Sequence, residues 1–184
     1  MIKTFPAEIV GENVKLVKLA PKFDNAKIVF DIIVNNRDEF RPWLEWVDFV
    51  QKPEDEMPVL EGDKDSAEWF IEWNEKIVGR IGFVKLSKGN NYGEVGYWLD
   101  KTAGGRGIMT KAFGLLEKNA FENWDFNRIE LKIDPENIKS LGVVKRMNFT
   151  REGLLRQDHF INGVYRDTFL FSKLKSEYDK SKKL

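Results

Sequence analysis

Residues 103–113, "AGGRGIMTKAF", place Gly104, Gly105 and Gly107 directly ahead of a stretch with helical spacing. The N–H groups of a helix's first turn have no partner inside the helix, and the helix dipole puts partial positive charge there. Glycines let the chain bend sharply and let an anion approach the backbone with no side chain between. The cluster therefore suits a diphosphate cradle, with Arg106 and Lys111 as auxiliary charges, although a plain strand-to-helix turn would use the same residues. Two titratable groups could move a proton. Glu94 lies on a predicted strand leading into the glycines, and His159 is the only histidine. Imidazole titrates close to neutrality, which suits proton removal at neutral pH. As structural residues they read instead as a strand-face carboxylate paired with a cation and as a packed or exposed hairpin residue.

Two familiar cradles are excluded. A P-loop closes on Gly-Lys-Ser/Thr, which "GGRGIMT" does not supply, and a dinucleotide fingerprint needs a glycine where Thr110 stands. Charge adds a second clue. The chain carries no net charge, with 30 basic and 30 acidic residues, so a nucleic-acid-sized basic field is not expected. From Arg37 to Glu75, however, 13 acidic residues stand against 4 basic ones. That stretch is either a solvated acidic surface or a lip that attracts a cationic substrate.

The elements that must position these groups follow from periodicity. "NVKLVKL" (13–19) predicts a first strand, and residues 23–36 space Ala26, Val29, Phe30, Ile33 and Val34 at helical intervals. Residues 51–65, with two prolines and a charge run, predict a mostly irregular excursion. "AEWFIEW" and "KIVGRIGFVKL" predict a hairpin turning at Asn74–Glu75, and "YGEVGYWLD" a further strand. A helix over about 106–122 carries Met109, Ala112, Phe113, Leu116, Ala120 and Phe121 on one stripe. A strand (128–134), a short helix (137–147) ending at Asn148 and a hairpin turning at Asn162–Gly163 complete the chain, with a short charged tail from about 175. The order predicts one α/β (α+β) domain over 1–184 with a mixed sheet. At 184 residues, 42% hydrophobic, the chain has enough material for one core. There is no cysteine, hence no disulfide or thiolate metal site, and no metal site is expected. No apolar run approaches the ~20 residues of a membrane span, so a cytoplasmic protein without a membrane partner is expected.

"GEVGYWLDKTAGGRGIMTKAF", "NRIELKIDPENIKSLGVVKRMNF" and "REGLLRQDHFINGVYRDTFLFS", in that order, resemble the GNAT superfamily of acetyl-CoA-dependent N-acetyltransferases. The likeness runs from about Ile77 to Leu174 and is nearest to the branch of ribosomal-protein N-terminal acetyltransferases; the first seventy-odd residues match more loosely, through "RPWLEW". The resemblance implies a GNAT-like fold, mostly antiparallel and twisted, with helices on both faces. It implies acetyl transfer from acetyl-CoA to a primary amine by direct attack, without an acyl-enzyme. The family's Gln/Arg-x-x-Gly-x-Gly/Ala signature falls on Gly104 to Met109, with Gly104 replacing the usual Gln/Arg. The coenzyme site so implied comprises Leu99, Gly104, Gly105, Arg106, Gly107, Met109, Thr110 and Asn137, the last holding the pantetheine arm. Asn137 is also placed to cap the helix beginning at Ile138.

Catalytic residues carry over less evenly. The family's acid, a tyrosine seven positions after the asparagine, is Val144 here. The ribosomal branch instead has a serine, matching Ser140, which would hydrogen-bond the sulfur or relay a proton. Glu94 and His159 compete for the role of base, His159 occupying a position where that branch assigns a glutamate. Trp43, Leu44, Trp46 and Phe49 either wall the acceptor groove, with Glu45 or Asp48 holding an incoming ammonium, or form an aromatic cap on the sheet. Asp167 matches a family aspartate with a structural role. A protein N-terminus is the implied acceptor, a small amine such as a polyamine or aminoglycoside the alternative, and a homodimer is compatible with the family. A non-catalytic acyl-CoA-binding module is the reading from outside enzymology, motivated by the Gly104 and Val144 departures.

Overall fold

Strands whose side chains alternate between two apolar environments need cover on both faces, and the order of elements supplies it. The computed structural model describes residues 4–182. Strands β1 (Glu8–Val10) and β2 (Lys15–Val17) lead into helix α1 (Phe23–Phe40). Two 3-10 turns, Glu45–Asp48 and Pro53–Glu56, and the short helix α2 (Met57–Glu61) precede β3 (Ala67–Trp73), β4 (Lys76–Ser87) and β5 (Tyr92–Leu99). A 3-10 turn at Lys101–Ala103 opens into α3 (Ile108–Glu122), followed by β6 (Arg128–Ile133) and α4 (Ile138–Arg146). The hairpin of β7 (Thr150–Ile161) and β8 (Val164–Leu174) and a final helix α5 (Lys175–Ser181) close the chain.

All eight strands form one sheet in the order β1-β2-β3-β4-β5-β6-β8-β7. Every pairing is antiparallel except β5 with β6. Alternation along β3 sorts the side chains. Ala67, Trp69 and Ile71 face a core built with Ile108, Ala112, Phe113, Leu116 and Ala120 of α3 and Val143 and Val144 of α4. Phe70 faces the opposite core, with Trp98 and with Ala26, Val29, Ile33 and Phe40 of α1. The mixed, mostly antiparallel sheet with helices on both faces is thus as expected. Both hairpin turns are also in place, Asn74 and Glu75 at φ 49° and 61°, Asn162 and Gly163 at 52° and 79°.

Four local expectations are corrected. The β1 strand precedes the strand expected first; with three residues it is too short for alternation to register. Helix α1 runs four residues past 36, buries Ile32, and leaves Val34 at 42% exposure, because its stripe continues through Asn36 to Phe40. Residues 53–61 are helical, not irregular: Pro53 and Pro58 sit in first turns, where a missing N–H costs nothing. The tail from 175 is a docked helix, Tyr178 packing on Phe121 at 5.1 Å and bonding Glu122 Oε1 at 2.6 Å.

A buried ion pair staples the last strand to the first core. Lys173 Nζ lies 2.8 Å from Glu117 Oε1 on α3 and donates to the Met147 carbonyl at the end of α4. Burial raises the Glu117 pKa, and the ammonium only partly opposes this. Replacing Lys173 with Met strands the carboxylate and is expected to cost about 3–5 kcal/mol at neutral pH. A carboxyl whose folded pKa exceeds its unfolded value favours the fold when protonated, so the loss shrinks as pH falls toward the unfolded-state value. Urea unfolding at pH 7 and pH 5 measures this; an equal loss at both contradicts it.

Candidate active site

The parallel ladder between β5 and β6 lasts only three residue pairs, Tyr92–Arg128, Gly93–Ile129 and Glu94–Glu130. Both strands continue, β5 to Leu99 and β6 to Ile133, without pairing to each other. The sheet therefore opens a slot in its middle, widening toward the C-terminal ends of both strands. Such a crevice beside the carboxyl ends of parallel strands is where α/β sheets take ligands.

The glycine cluster stands at the β5 side of this opening. Gly105 and Gly107 both have φ 74°, a conformation costly for any residue with a Cβ, and open space lies where that Cβ would be. The first helical bond of α3 runs from Lys111 N–H to Gly107 C=O at 3.0 Å, so the amides of Ile108, Met109 and Thr110 lie ahead of any helical partner. Gly104 differs from expectation: its N–H donates to the Lys101 carbonyl at 3.2 Å, so it shapes the turn and offers no free amide. Arg106 lies over the Trp73 ring at 5.5 Å, and Thr110 Oγ1 accepts from Arg146 of α4 at 3.2 Å. Leu99, half-buried at the end of β5, packs against the first core, and Lys111 is exposed.

On the β6 side, Asn137 caps α4, its side chain accepting from Ser140 N at 3.1 Å. That accounts for its structural role and uses the oxygen of its amide. Ser140 is half-buried in the first turn of α4. Its carbonyl accepts from Tyr97 Oη at 3.4 Å, a contact that spans the slot from β5. Burial pushes the Tyr97 phenol up to about 12, so it stays a donor at neutral pH. Sequence reasoning passed over Tyr97, yet the alternation in "GYWL" holds the signal: Trp98 faces α1, so Tyr97 must face α3, where it meets Phe113 at 6.0 Å. Val144, where a tyrosine might have stood, is fully in the core.

The acceptor candidates lie across the sheet. Glu94 has the same parity as Trp98 and so faces α1, at the last pair before the strands part. His159 sits elsewhere. It pairs with Arg166, six residues along β8 from Ser172, which lies in the Glu94–Glu130 row. At about 3.3 Å per residue this is roughly 20 Å along the strand, so the two bases are not alternatives for one spot. His159 instead lies 3.5 Å from Glu45, and Asn162 Nδ2 donates to the Arg41 carbonyl at 3.0 Å. The hairpin tip thus meets the loop that carries Trp43, Glu45 and Trp46. Leu44 and Trp46 pack on the second core, Trp43 is half-buried, and Phe49 is 79% exposed, so the expected wall is part sheet cap and part rim. Asp167 accepts from Gln157 N at 2.9 Å, holding the β7 bulge where Gln157 has φ 53°. That is a structural role.

Arg37 of α1 holds this loop from beneath, donating to the carbonyls of Val47 at 2.7 Å and Val50 at 2.5 Å. Both residues are buried. Arg37→Met leaves two carbonyls without donors and is expected to cost about 2–3 kcal/mol, with faster protease cleavage between 41 and 50. Cleavage at the wild-type rate would show that other contacts hold the loop.

A family model described as an acetyltransferase (GNAT) domain matches residues 14–150. The ribosomal-protein-serine acetyltransferase of Escherichia coli (strain K12) is 29% identical over 171 residues, covering 90% of this chain and 94% of that protein. The structure of the microcin C7 self immunity acetyltransferase MccE, solved in complex with acetyl-CoA and AMP, aligns with a TM-score of 0.82 at 26% identity, over 89% of this chain and 93% of that one. RimL, the ribosomal L7/L12 α-N-protein acetyltransferase, solved in complex with coenzyme A, aligns with a TM-score of 0.85 at 22% identity, over 92% and 99%. The chain carries the same fold as these structures, and the family match runs from just before β2 to the first residue of β7. The chain belongs to the GNAT acetyltransferases, enzymes that take their acetyl group from acetyl-CoA.

Proposed function

We propose that this acetyltransferase acts on the α-amine of a protein or peptide N-terminus, with ribosomal proteins as the acceptor class. The observation that carries the reading is the slot between β5 and β6, flanked by amides without helical partners on one bank and by Ser140 and Asn137 on the other. The acceptor class rests on the relative that acts on ribosomal-protein serine and on the acidic loop region from Arg37 to Glu75. A cytoplasmic setting goes with that acceptor.

The residues fit the coenzyme. The open sides of Gly105 and Gly107 admit a diphosphate against the amides of Ile108, Met109 and Thr110, where the helix dipole favours negative charge. Acetyl-CoA, when bound, supplies an activated acyl carbon and a thiolate leaving group. Everything else falls to the chain. Asn137 lends its amide to the pantetheine arm while its oxygen keeps α4 capped. Glu94, facing α1 at the apex of the slot, takes the proton that an incoming ammonium must lose, directly or through water. The Ser140 hydroxyl donates to the sulfur. His159 and Glu45, together at the hairpin tip, hold and orient the acceptor instead of deprotonating it.

Ser140→Ala is expected to lower kcat about a hundredfold, at the lower end of what a general acid contributes, with KM for acetyl-CoA nearly unchanged. Unchanged kcat in a thiol-release assay would retire the serine. Over a pH series, Glu94→Gln should abolish the acidic limb of the rate profile, whereas His159→Gln should raise the acceptor KM and keep that limb. The reverse outcome exchanges their roles. Peptides with free N-terminal Ser or Ala should turn over, and N-terminally blocked copies should not. Turnover confined to polyamines or aminoglycosides removes the N-terminal assignment, and coenzyme binding with no thiol release from any amine favours a non-catalytic module.

A further inference from the structure

One turn of α1 touches both banks of the slot. Asn36 is 1% exposed, and its Oδ1 accepts the main-chain N–H of Lys101 at 2.8 Å. Lys101 opens the 3-10 turn whose next residues are the glycine cluster. Asn36 Nδ2 is spent on the Ile32 carbonyl at 2.8 Å, so the side chain is fixed at both ends. Asn35 adds its carbonyl to Lys101 Nζ at 2.6 Å. On the opposite bank, Glu39 Oε2 meets Lys139 Nζ of α4 at 2.7 Å, an interaction that lowers the Glu39 pKa. Lys139 is the residue before Ser140.

Glu39 is three and four positions from Asn36 and Asn35, so it is adjacent to both on the helix surface. The β5 exit and the start of α4 are two ends that no ladder joins to each other. The helix that joins them continues into the loop carrying Trp43, Glu45 and Trp46. It buries an amide bonded at both its oxygen and its nitrogen, and a polar group inside an apolar core is costly unless it finds such partners.

We propose that Asn36 is a positioning residue for the coenzyme cradle, and that the last turns of α1 act as a strap across the slot, setting the distance between the glycine turn and α4. This rests on the cradle assignment made above. Asn36 touches neither acyl donor nor acceptor. It acts through the Lys101 amide, which fixes where the 3-10 turn stands and hence where the amides of α3 point.

The test is calorimetric titration of the free protein with coenzyme A, alongside thermal unfolding. Asn36→Ala removes the acceptor for a main-chain N–H and is expected to weaken coenzyme A binding about tenfold, with some loss of Tm. Asn36→Asp retains an oxygen for the Lys101 N–H but loses the Ile32 bond and buries a charge. It should return affinity to within about threefold of wild type while Tm falls further. Affinity recovering while stability does not is a pattern that general loosening of the core would not give. Affinity that simply follows Tm through the two variants overturns the proposal, as does unchanged affinity in Asn36→Ala.

Should Asn36→Ala not fold, the other foot of the strap decides. Glu39→Gln removes a carboxylate near an anion site, and charge alone predicts tighter binding. The strap predicts about two- to threefold weaker binding with Tm held, as for loss of a largely exposed pair. Tighter or equal binding overturns it. Gly107→Val separates this proposal from the cradle reading. If that variant keeps coenzyme A affinity, the cradle itself is misplaced; if it loses affinity while Asn36→Ala and Glu39→Gln do not, only the strap fails.

Discussion

The function of this chain hangs on a ladder that stops after three pairs of residues. A parallel ladder ending at Glu94 and Glu130 leaves the facing edges of β5 and β6 without each other in the middle of an eight-stranded sheet. Main-chain groups inside a protein must be satisfied by something. On their outer edges these strands are held by β4 and β8, so the opening cannot collapse without breaking ladders that run along both. The gap is thus kept rigid from both sides. An extended ligand with polar groups along its length is the natural complement of two strand edges, and the pantetheine arm of acetyl-CoA has that character.

The two faces of the sheet divide the work. The α3 face presents the amides at the start of α3, at the positive end of the helix dipole, and the first turn of α4. The α1 face supplies carboxylates and aromatic rings. Because strand residues alternate, one stretch of β5 serves both: Tyr97 reaches Ser140 on one side while Trp98 and Glu94 face the other. A donor entering from the first face and an amine from the second would meet only where the sheet is open. The proposed direct attack, without a covalent enzyme intermediate, would take place there.

Much of this could be read before the structure was known, and for definite reasons. The glycine turn, the Asn162–Gly163 hairpin and the Asn74–Glu75 hairpin are local events governed by φ, and the structure has positive φ at Gly105, Gly107, Asn162, Gly163, Asn74 and Glu75. Residues 53–61 misled because proline reads as a breaker until its place in a first turn is known. The last helix read only as a charged tail because its anchors, Tyr178 and Lys182, bind Glu122, which is far away in sequence. Asn36 and Arg37 carried no visible signal at all. Each is a polar residue in a helical stripe, and its purpose lies in carbonyls or amides contributed by other segments. The separation of Glu94 from His159 is likewise set by strand register, which sequence does not print.

The contact between the hairpin tip and the loop after α1 joins residues 121 positions apart, Asn162 and Arg41. Closure of so long a segment carries an entropic penalty that must be met before the contact returns anything, and pairings of high sequence separation form late. During synthesis the loop emerges many seconds ahead of the hairpin, at about 5–20 residues per second. The contact is therefore made only after Asn162 has been added to the chain. A nascent chain holding the glycine turn but not yet the hairpin would lack it.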